Sequence, residues 1–254
     1  KTLAIIQARM SSTRLPGKVL KRSYGRSMLE RMMERVRHAQ TLDEVIVATT
    51  VDPSDDQIAR FCKRMSIPVF RGSLQDVLDR YYQAARAYQA DVIVRLTGDC
   101  PLIDPLLIDD VVHDLAARKV DFSCNRLPPP FTRTFPIGLD VEACTFAALE
   151  NAWNNAIEKH EREHVLPYLY AVPGRFKVSQ LNYTQDLGHL RWTLDTPEDL
   201  LLLRRIYRRF GGRNDFSWLD VLQLYHESPS LFDVNAGVKH KTYLDAEDTR
   251  KQKE

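Results

Sequence analysis

The sequence predicts an α/β protein with a mostly parallel sheet and helices on both of its faces. Two observations predict it. Continuous apolar runs of strand length recur along the N-terminal part of the chain, and amphipathic stretches of helical period separate them. A strand covered on both faces reads as an unbroken apolar run, which is what a parallel sheet needs. Size agrees: 254 residues, 44% of them hydrophobic, can bury one large core or two small ones.

The first strand is Leu3 to Ala8, apolar except for one Gln. In the first helix, Ser27 to His38, Met28, Leu29, Met32, Met33 and Val36 make one apolar stripe, and Ser27 with Glu30 makes a capping box. Val45 to Ala48 is the second strand, and a helix from Ser54 to about Met65 follows, with Ser54 and Gln57 as its capping pair. Ile67 to Phe70 reads as a short strand, Leu74 to Gln89 as a helix and Val92 to Val94 as a strand. Asp104-Pro105 opens the next helix with an N-cap and a proline at the first position. "NRLPPPFTRTFPIG", 125–138, is a long surface loop, because its prolines remove donors and fix φ. A helix over Thr145 to Lys159, strands over Phe176 to Leu181 and Leu190 to Leu194, and a helix over Pro197 to Phe210 complete the pattern. The polar stretch 239–254 reads as a tail.

Composition narrows the function classes. A formal net charge of +2 gives no bulk attraction to nucleic acid or to a membrane, so neither is expected as a partner. Cys62, Cys100, Cys124 and Cys144 are widely spaced without a C-x-x-C pair, which points to free thiols in a reducing compartment. No apolar run is long enough to cross a bilayer, and "KTLAIIQAR" reads as a strand rather than a signal peptide. A cytoplasmic protein is expected.

Ligands of such sheets bind beyond the C-terminal ends of the strands, and three loops fall there. "QARMSSTRLPGKVL", 7–20, carries Arg9, Arg14 and Lys18 with hydroxyls at Ser11, Ser12 and Thr13. Guanidinium forks and a lysine point charge suit a polyphosphate, although the loop is neither a Walker A motif nor G-x-G-x-x-G. "RLTGDCPLID", 95–104, puts Asp99 at a strand tip after Gly98, and "RWTLDTPEDL", 191–200, puts Asp195 just before the Thr196-Pro197 helix start. Two carboxylates facing a phosphate loop can share Mg²⁺ with phosphate oxygens. Arg71, Asp76 and Arg80 reach the same nucleotide, or Asp76 and Arg80 form an exposed i,i+4 pair. Asp140 and Glu142 share one side of an extended segment, where they contact acceptor hydroxyls or edge the sheet.

These stretches resemble the cytidylyltransferases that activate acidic sugars, the makers of CMP-3-deoxy-manno-octulosonate and CMP-N-acetylneuraminate. The match is densest at "ARMSSTRLPGKVL" and continues through "VIVATT", "RGSLQDVLDRYYQAA", "RLTGDCPLID", "FPIGLDVE", "HEREHVLPYLY" and "RWTLDTPEDL", the later stretches looking most like the spore-coat polysaccharide branch. The resemblance spans about residues 3 to 235. It implies a three-layer, Rossmann-like fold of the nucleotide-diphospho-sugar transferase type. It implies one domain over 1–238, with nucleotide-binding parts 1–124 and 189–210 and an acceptor-binding and dimerisation part 125–188. The implied reaction is Mg²⁺-dependent transfer of CMP from CTP to a small anionic sugar or polysaccharide precursor, by a homodimer. Ala8, Arg9, Ser12, Arg14, Lys18, Arg71, Asp76, Arg80, Thr97 and Gly98 would bind nucleotide, with Arg9, Lys18 and Asp99 catalytic and Asp99 and Asp195 holding the metal. Asp140, Glu142, His160, Arg162 and Arg191 would bind the acceptor. One departure stands out: Cys100 follows Asp99 where the sugar-acid enzymes usually carry a polar residue.

Two rival readings are weaker. His160-Glu161-Arg162-Glu163-His164 spells H-E-x-x-H, the zinc hydrolase pattern, but Pro167 follows closely and the alternating strands do not suit such a fold. "LRRIYRRFGGR", 203–213, gathers five arginines that could hold RNA, or else ends a helix where cations oppose the dipole and Gly211-Gly212 stops it.

Overall fold

The computed structural model describes residues 1–129 and 131–239. The tail expected over 239–254 therefore lies, apart from Lys239, outside the described residues.

In chain order the strands are β1 (Thr2–Gln7), β2 (Arg22–Ser23), β3 (Arg26–Ser27), β4 (Glu44–Thr50), β5 (Val69–Gly72), β6 (Val92–Thr97), β7 (Phe122–Cys124), β8 (Glu142–Thr145) and β9 (Val178–Gln180). The helices are α1 (Met28–Val36), α2 (Asp56–Arg64), α3 (Val77–Ala87), α4 (Pro105–Arg118), α5 (Phe146–Asn155), α6 (Lys159–His164), α7 (Pro167–Tyr170), α8 (Pro197–Arg209) and α9 (Trp218–Glu227). β2 and β3 form a small hairpin, and the other seven strands form one sheet in the order β5-β4-β1-β6-β8-β7-β9. β8 runs antiparallel to both of its neighbours, and the remaining pairs are parallel.

Alternation along β1 shows why the sheet has two covered faces. Ala4 and Ile6 join a core with residues of α1, α2, α4, α8 and α9, whereas Leu3 and Ile5 join a second core with residues of α3, α5 and α7. That is the three-layer α/β architecture expected from the alternating pattern.

The caps decide the helix starts. Ser27 and Glu30 form the expected box on α1, Asp104 caps α4 by accepting from Leu106, and Thr196 with Asp199 forms a box on α8. The strands β2, β3 and β7 and the short helix α7 were not foreseen, and four further differences trace to particular residues. The α2 helix starts at Asp56 rather than Ser54, because Asp52 caps a 3₁₀ turn over Pro53–Asp55 that takes up the Ser54 position. The helix expected over 145–159 ends at Asn155, and a new capping box of Glu158 and Glu161 starts α6. Leu190 to Leu194 is not a strand but makes one isolated bridge, Ile137 to Arg191. The α9 helix was not foreseen, although Ser217 and Asp220 box its start.

The arginine-rich end of α8 is closed by two glycines, and two of the five arginines of that stretch hold backbone carbonyls. Gly211 and Gly212, at φ 62° and 76°, end the helix. Arg204 and Arg205 donate to the carbonyls of Arg22 and Leu231. All four cysteines are buried and free, and no helix among the described residues is long and apolar enough to cross a membrane.

Candidate active site

A cavity of about 910 Å³ opens beyond the C-terminal ends of β1 and β6. Its walls include Arg9, Ser12, Arg14, Lys18, Thr97, Asp99 and Asp195 from the three loops singled out in the sequence. The volume lies toward the upper end of small-molecule sites, roughly 300–1,000 Å³, which suits two substrates better than one.

The phosphate-type loop folds back on itself. Gly17 N–H and Ser12 N–H both donate to the Met10 carbonyl, at 3.0 and 2.9 Å, and Gly17 takes φ 65° to start the 3₁₀ turn Lys18–Leu20. Buried Leu15 and Val19 pin that turn to the core, so Lys18 projects into the cavity from a fixed base. On the facing loop, Gly98 N–H donates to the Gln7 carbonyl at 2.8 Å, and a Cβ at Gly98 would lie 2.9 Å from that oxygen. Only glycine permits this approach of β1 and β6, and it brings Asp99 opposite Lys18. The third loop is tied to the second, because Leu194 N–H and the Thr193 hydroxyl donate to the Asp99 carbonyl at 2.8 and 2.9 Å.

Lys18 Nζ lies 3.2 Å from Asp99 Oδ2 and 2.7 Å from Asp195 Oδ1, so one ammonium is shared by two carboxylates. Burial alone would lower the Lys18 pKa, but the charges of Asp99 and Asp195 outweigh it and raise the value. Burial likewise works to raise Asp99, and Lys18 together with the Thr97 hydroxyl overcomes it and holds the carboxyl well below its usual range. Arg14 reaches Asp195 at 3.1 Å. Behind it, Arg191 forks onto buried Asp199 at 2.9 and 2.8 Å and touches Asp195 at 3.2 Å. The thiol of Cys100 is pushed well above its ordinary value by burial, then by Asp99 and Asp140, and it stays protonated.

The donor set fits a magnesium ion. Asp99 and Asp195 already share one cation, stand on loops hydrogen-bonded to each other, and leave further positions to phosphate oxygens, the way Mg²⁺ is usually held. Among the described residues no group of three or more His, Cys, Asp or Glu could cage a metal without such help. The H-E-x-x-H histidines form no such group, since His164 lines the cavity and His160 does not.

The other predicted residues divide. Ala8 is buried beneath the Gly98 contact, and Asp140 and Glu142 line the far part of the cavity. Arg71, Asp76, Arg80, His160, Arg162 and Arg191 do not line it. Arg71 donates to the Thr50 and Asp52 carbonyls and pairs with Asp56 at 2.7 Å. Asp76 caps α3 by accepting from Asp79 and holds Arg162, while buried Arg80 donates to the Ser73 carbonyl. Three arginines that sequence reasoning missed do line it: Arg95, Arg126 and Arg133. Arg95 pairs with Glu142 across the β6–β8 register, and Arg133 forks onto Asp140. Among the described residues Arg126 makes looser pairs, 3.6 Å to Asp140 and 4.0 Å to Glu142. A charged residue inside the apolar run "VIVRLT" was the available signal for Arg95.

Comparison with known proteins identifies the family and the fold. The cytidylyltransferase family model matches residues 3–207. An uncharacterized protein of Methanocaldococcus jannaschii is 40% identical over 250 residues, which are 98% of this chain and 100% of that protein. The spore coat polysaccharide biosynthesis protein SpsF of Bacillus subtilis is 32% identical over 234 residues, 89% of this chain and 95% of that protein. A solved cytidylyltransferase from Leptospira borgpetersenii superposes with a TM-score of 0.86 at 34% identity, covering 95% of this chain and 99% of that one. CMP:2-keto-3-deoxy-manno-octonic acid synthetase, solved in complex with CTP, shares the fold with a TM-score of 0.63 at 18% identity, over 82% of this chain and 99% of that one.

Proposed function

The chain belongs to the cytidylyltransferase family, a family of nucleotidyltransferases, and we propose that it transfers CMP from CTP to an anionic sugar or related polysaccharide building block, with Mg²⁺ and with release of pyrophosphate. The observation that carries this reading is the Lys18 ammonium shared by Asp99 and Asp195 where three loops meet, with Arg9 and Arg14 on the same cavity.

The chemistry is mainly positioning and charge stabilisation. The acceptor oxygen attacks the α-phosphorus in line while pyrophosphate leaves. Arg9, Arg14 and Lys18 hold the triphosphate and neutralise charge that builds on the leaving group. The Ser12 hydroxyl and the backbone around Ala8, Thr97 and Gly98 supply further contacts. Asp99 and Asp195 would hold the Mg²⁺ ion, which when bound polarises phosphate oxygens. Arg95, Arg126, Arg133, Asp140 and Glu142 line the rest of the cavity, which this reading gives to the acceptor. A cytoplasmic homodimer belongs to the same reading.

The test is a nucleotide-by-acceptor screen for pyrophosphate release with Mg²⁺. The panel holds 3-deoxy-manno-octulosonate, N-acetylneuraminate and sugar phosphates. Acceptor-dependent release from CTP above other nucleotides is the expected result. No release from any pair, or preference for another nucleotide, overturns the proposal.

A further inference from the structure

Within the H-E-x-x-H stretch, which forms no metal cage, the side chains from Glu161 to His164 divide between structural contacts and the cavity. Glu161 completes the capping box of α6 with Glu158. Arg162 turns away from the cavity: it binds the Asp76 carboxylate through Nε at 3.0 Å and Nη2 at 2.5 Å, and it donates to the Trp153 carbonyl at 2.7 Å. This fork fixes α6 to the start of α3 and the end of α5. Glu163 and His164, by contrast, line the cavity.

The backbone just after them is strained. Val165 has φ 75° and ψ −59°, and Leu166 N–H donates to the His164 carbonyl at 3.0 Å, which makes a three-residue γ-turn. That turn is rare for any residue and especially unfavourable for a β-branched one. It persists because the Val165 side chain is fully buried in the second core, next to Leu166 and Leu169. Strain kept in place by surrounding packing is a mark of a site whose geometry matters. Here the turn aims His164 into the cavity at one side and starts α7 at the other, where Tyr170 also lines the cavity.

We propose that His164, with Glu163 beside it, is the specificity element that reads uncharged hydroxyls of the acceptor, and that Val165 and Arg162 are the positioning residues that aim it. The proposal rests on the cytidylyltransferase reading. Its chemical content comes from the neighbours. His164 stands among Arg95, Arg126 and Glu142, and burial first, then Arg95, pushes its imidazole down to about 4. A neutral imidazole both donates and accepts one hydrogen bond, which matches a hydroxyl and does not match a carboxylate. An anionic group of the acceptor falls instead to Arg126, whose nearest carboxylates stand 3.6 and 4.0 Å away.

Wild-type turnover in the screen above is read first, and its absence overturns the cytidylyltransferase reading and this proposal with it. With turnover in hand, His164→Ala, His164→Gln and Val165→Gly are compared, using CTP and the panel acceptor with the highest wild-type rate. His164→Ala is expected to raise the acceptor KM about tenfold, the size of one lost hydrogen bond, with the CTP KM held within about twofold. His164→Gln, whose amide both donates and accepts, recovers part of that loss. Val165→Gly adopts φ 75° without strain but gives up a fully buried side chain, so its melting temperature falls while the protein still unfolds cooperatively, and its loosened turn raises the acceptor KM about threefold or more. An unchanged acceptor KM in both His164 variants, or an equal rise in the two KM values, overturns the proposal. If His164→Ala does not fold, the Gln and Gly variants decide it by the same split.

Discussion

Replacing Lys18 by Met keeps the length of the side chain and removes the charge that Asp99 and Asp195 share. The order of the effect follows from Asp99, whose carboxyl, against the burial that raises it, is held at about 2 rather than an ordinary 3.8 by Lys18 first and the Thr97 hydroxyl second. A shift of that size is worth about 2 kcal/mol of folding stability at neutral pH. A second route gives the same order. Breaking a buried ion pair costs about 3–5 kcal/mol and an exposed one less than about 1. The side chains of Lys18, Asp195 and Asp99 are 14%, 16% and 27% exposed, between those limits. The pH dependence fixes the mechanism. A carboxyl whose pKa is depressed by folding stabilises the protein above its unfolded value, and the gain is lost as pH falls through the folded value. The gap between wild type and Lys18→Met is therefore complete above about pH 5 and about half as large at pH 3. Lys18 itself adds no pH dependence within this window, because the stability from its raised pKa is fully present below its ordinary 10.5 and is lost only as pH rises above it. Urea unfolding at pH 7 and pH 3, analysed at equal m-values, measures both gaps. Equal gaps at the two pH values, or none at pH 7, would show that Lys18 does not act through the Asp99 charge. The same variant is expected to lose about a hundredfold or more in turnover.

Three further outcomes follow from the geometry. Gly98→Ala places a Cβ 2.9 Å from the Gln7 carbonyl, which cannot yield, so its melting temperature drops by the equivalent of about 1–3 kcal/mol and its CTP KM rises. Arg162→Met takes the guanidinium from Asp76, which keeps the Asp79 N–H, and from the Trp153 carbonyl, and denaturant unfolding should register about 1–3 kcal/mol, with the acceptor KM rising more than the CTP KM. Treatment with EDTA abolishes pyrophosphate release and added Mg²⁺ restores it; activity that survives chelation would refute the roles given to Asp99 and Asp195.

What the sequence disclosed of the fold depended on how local the determinant was. The α1, α4 and α8 starts were legible because cap and partner lie within three residues of each other. The α2 start was misplaced because Asp52 and Pro53 open a separate 3₁₀ turn, a choice made one turn earlier than the Ser54 signal. Leu190 to Leu194 carries a strand-like apolar pattern, but its backbone donors are taken by tertiary partners: Trp192 N–H by the Ile137 carbonyl and Leu194 N–H by that of Asp99. Pattern alone cannot see a hydrogen bond to a residue nearly a hundred positions away.

The same distinction governs the site. Lys18, Asp99 and Asp195 were readable because each stands on a loop directly after or before a recognisable element, at the sheet end where ligands bind. Arg95 was not, because its meaning lies in Glu142, which reaches it only through the antiparallel register of β6 and β8. Conversely Arg71, Asp76 and Arg162 carry charge next to motif positions but spend it on one another's segments and on backbone carbonyls. Charge in a sequence thus marks candidates, and pairing decides among them. Among the described residues the cavity is lined by six cations, Arg9, Arg14, Lys18, Arg95, Arg126 and Arg133, against five carboxylates, Asp99, Asp140, Glu142, Glu163 and Asp195. Lys18, Arg95 and Arg133 are hydrogen-bonded to carboxylates, so an anionic substrate that engages them must exchange one partner for another. Selectivity then rests on how well the substrate reproduces those contacts, because a poor replacement leaves a partly buried charge without a partner.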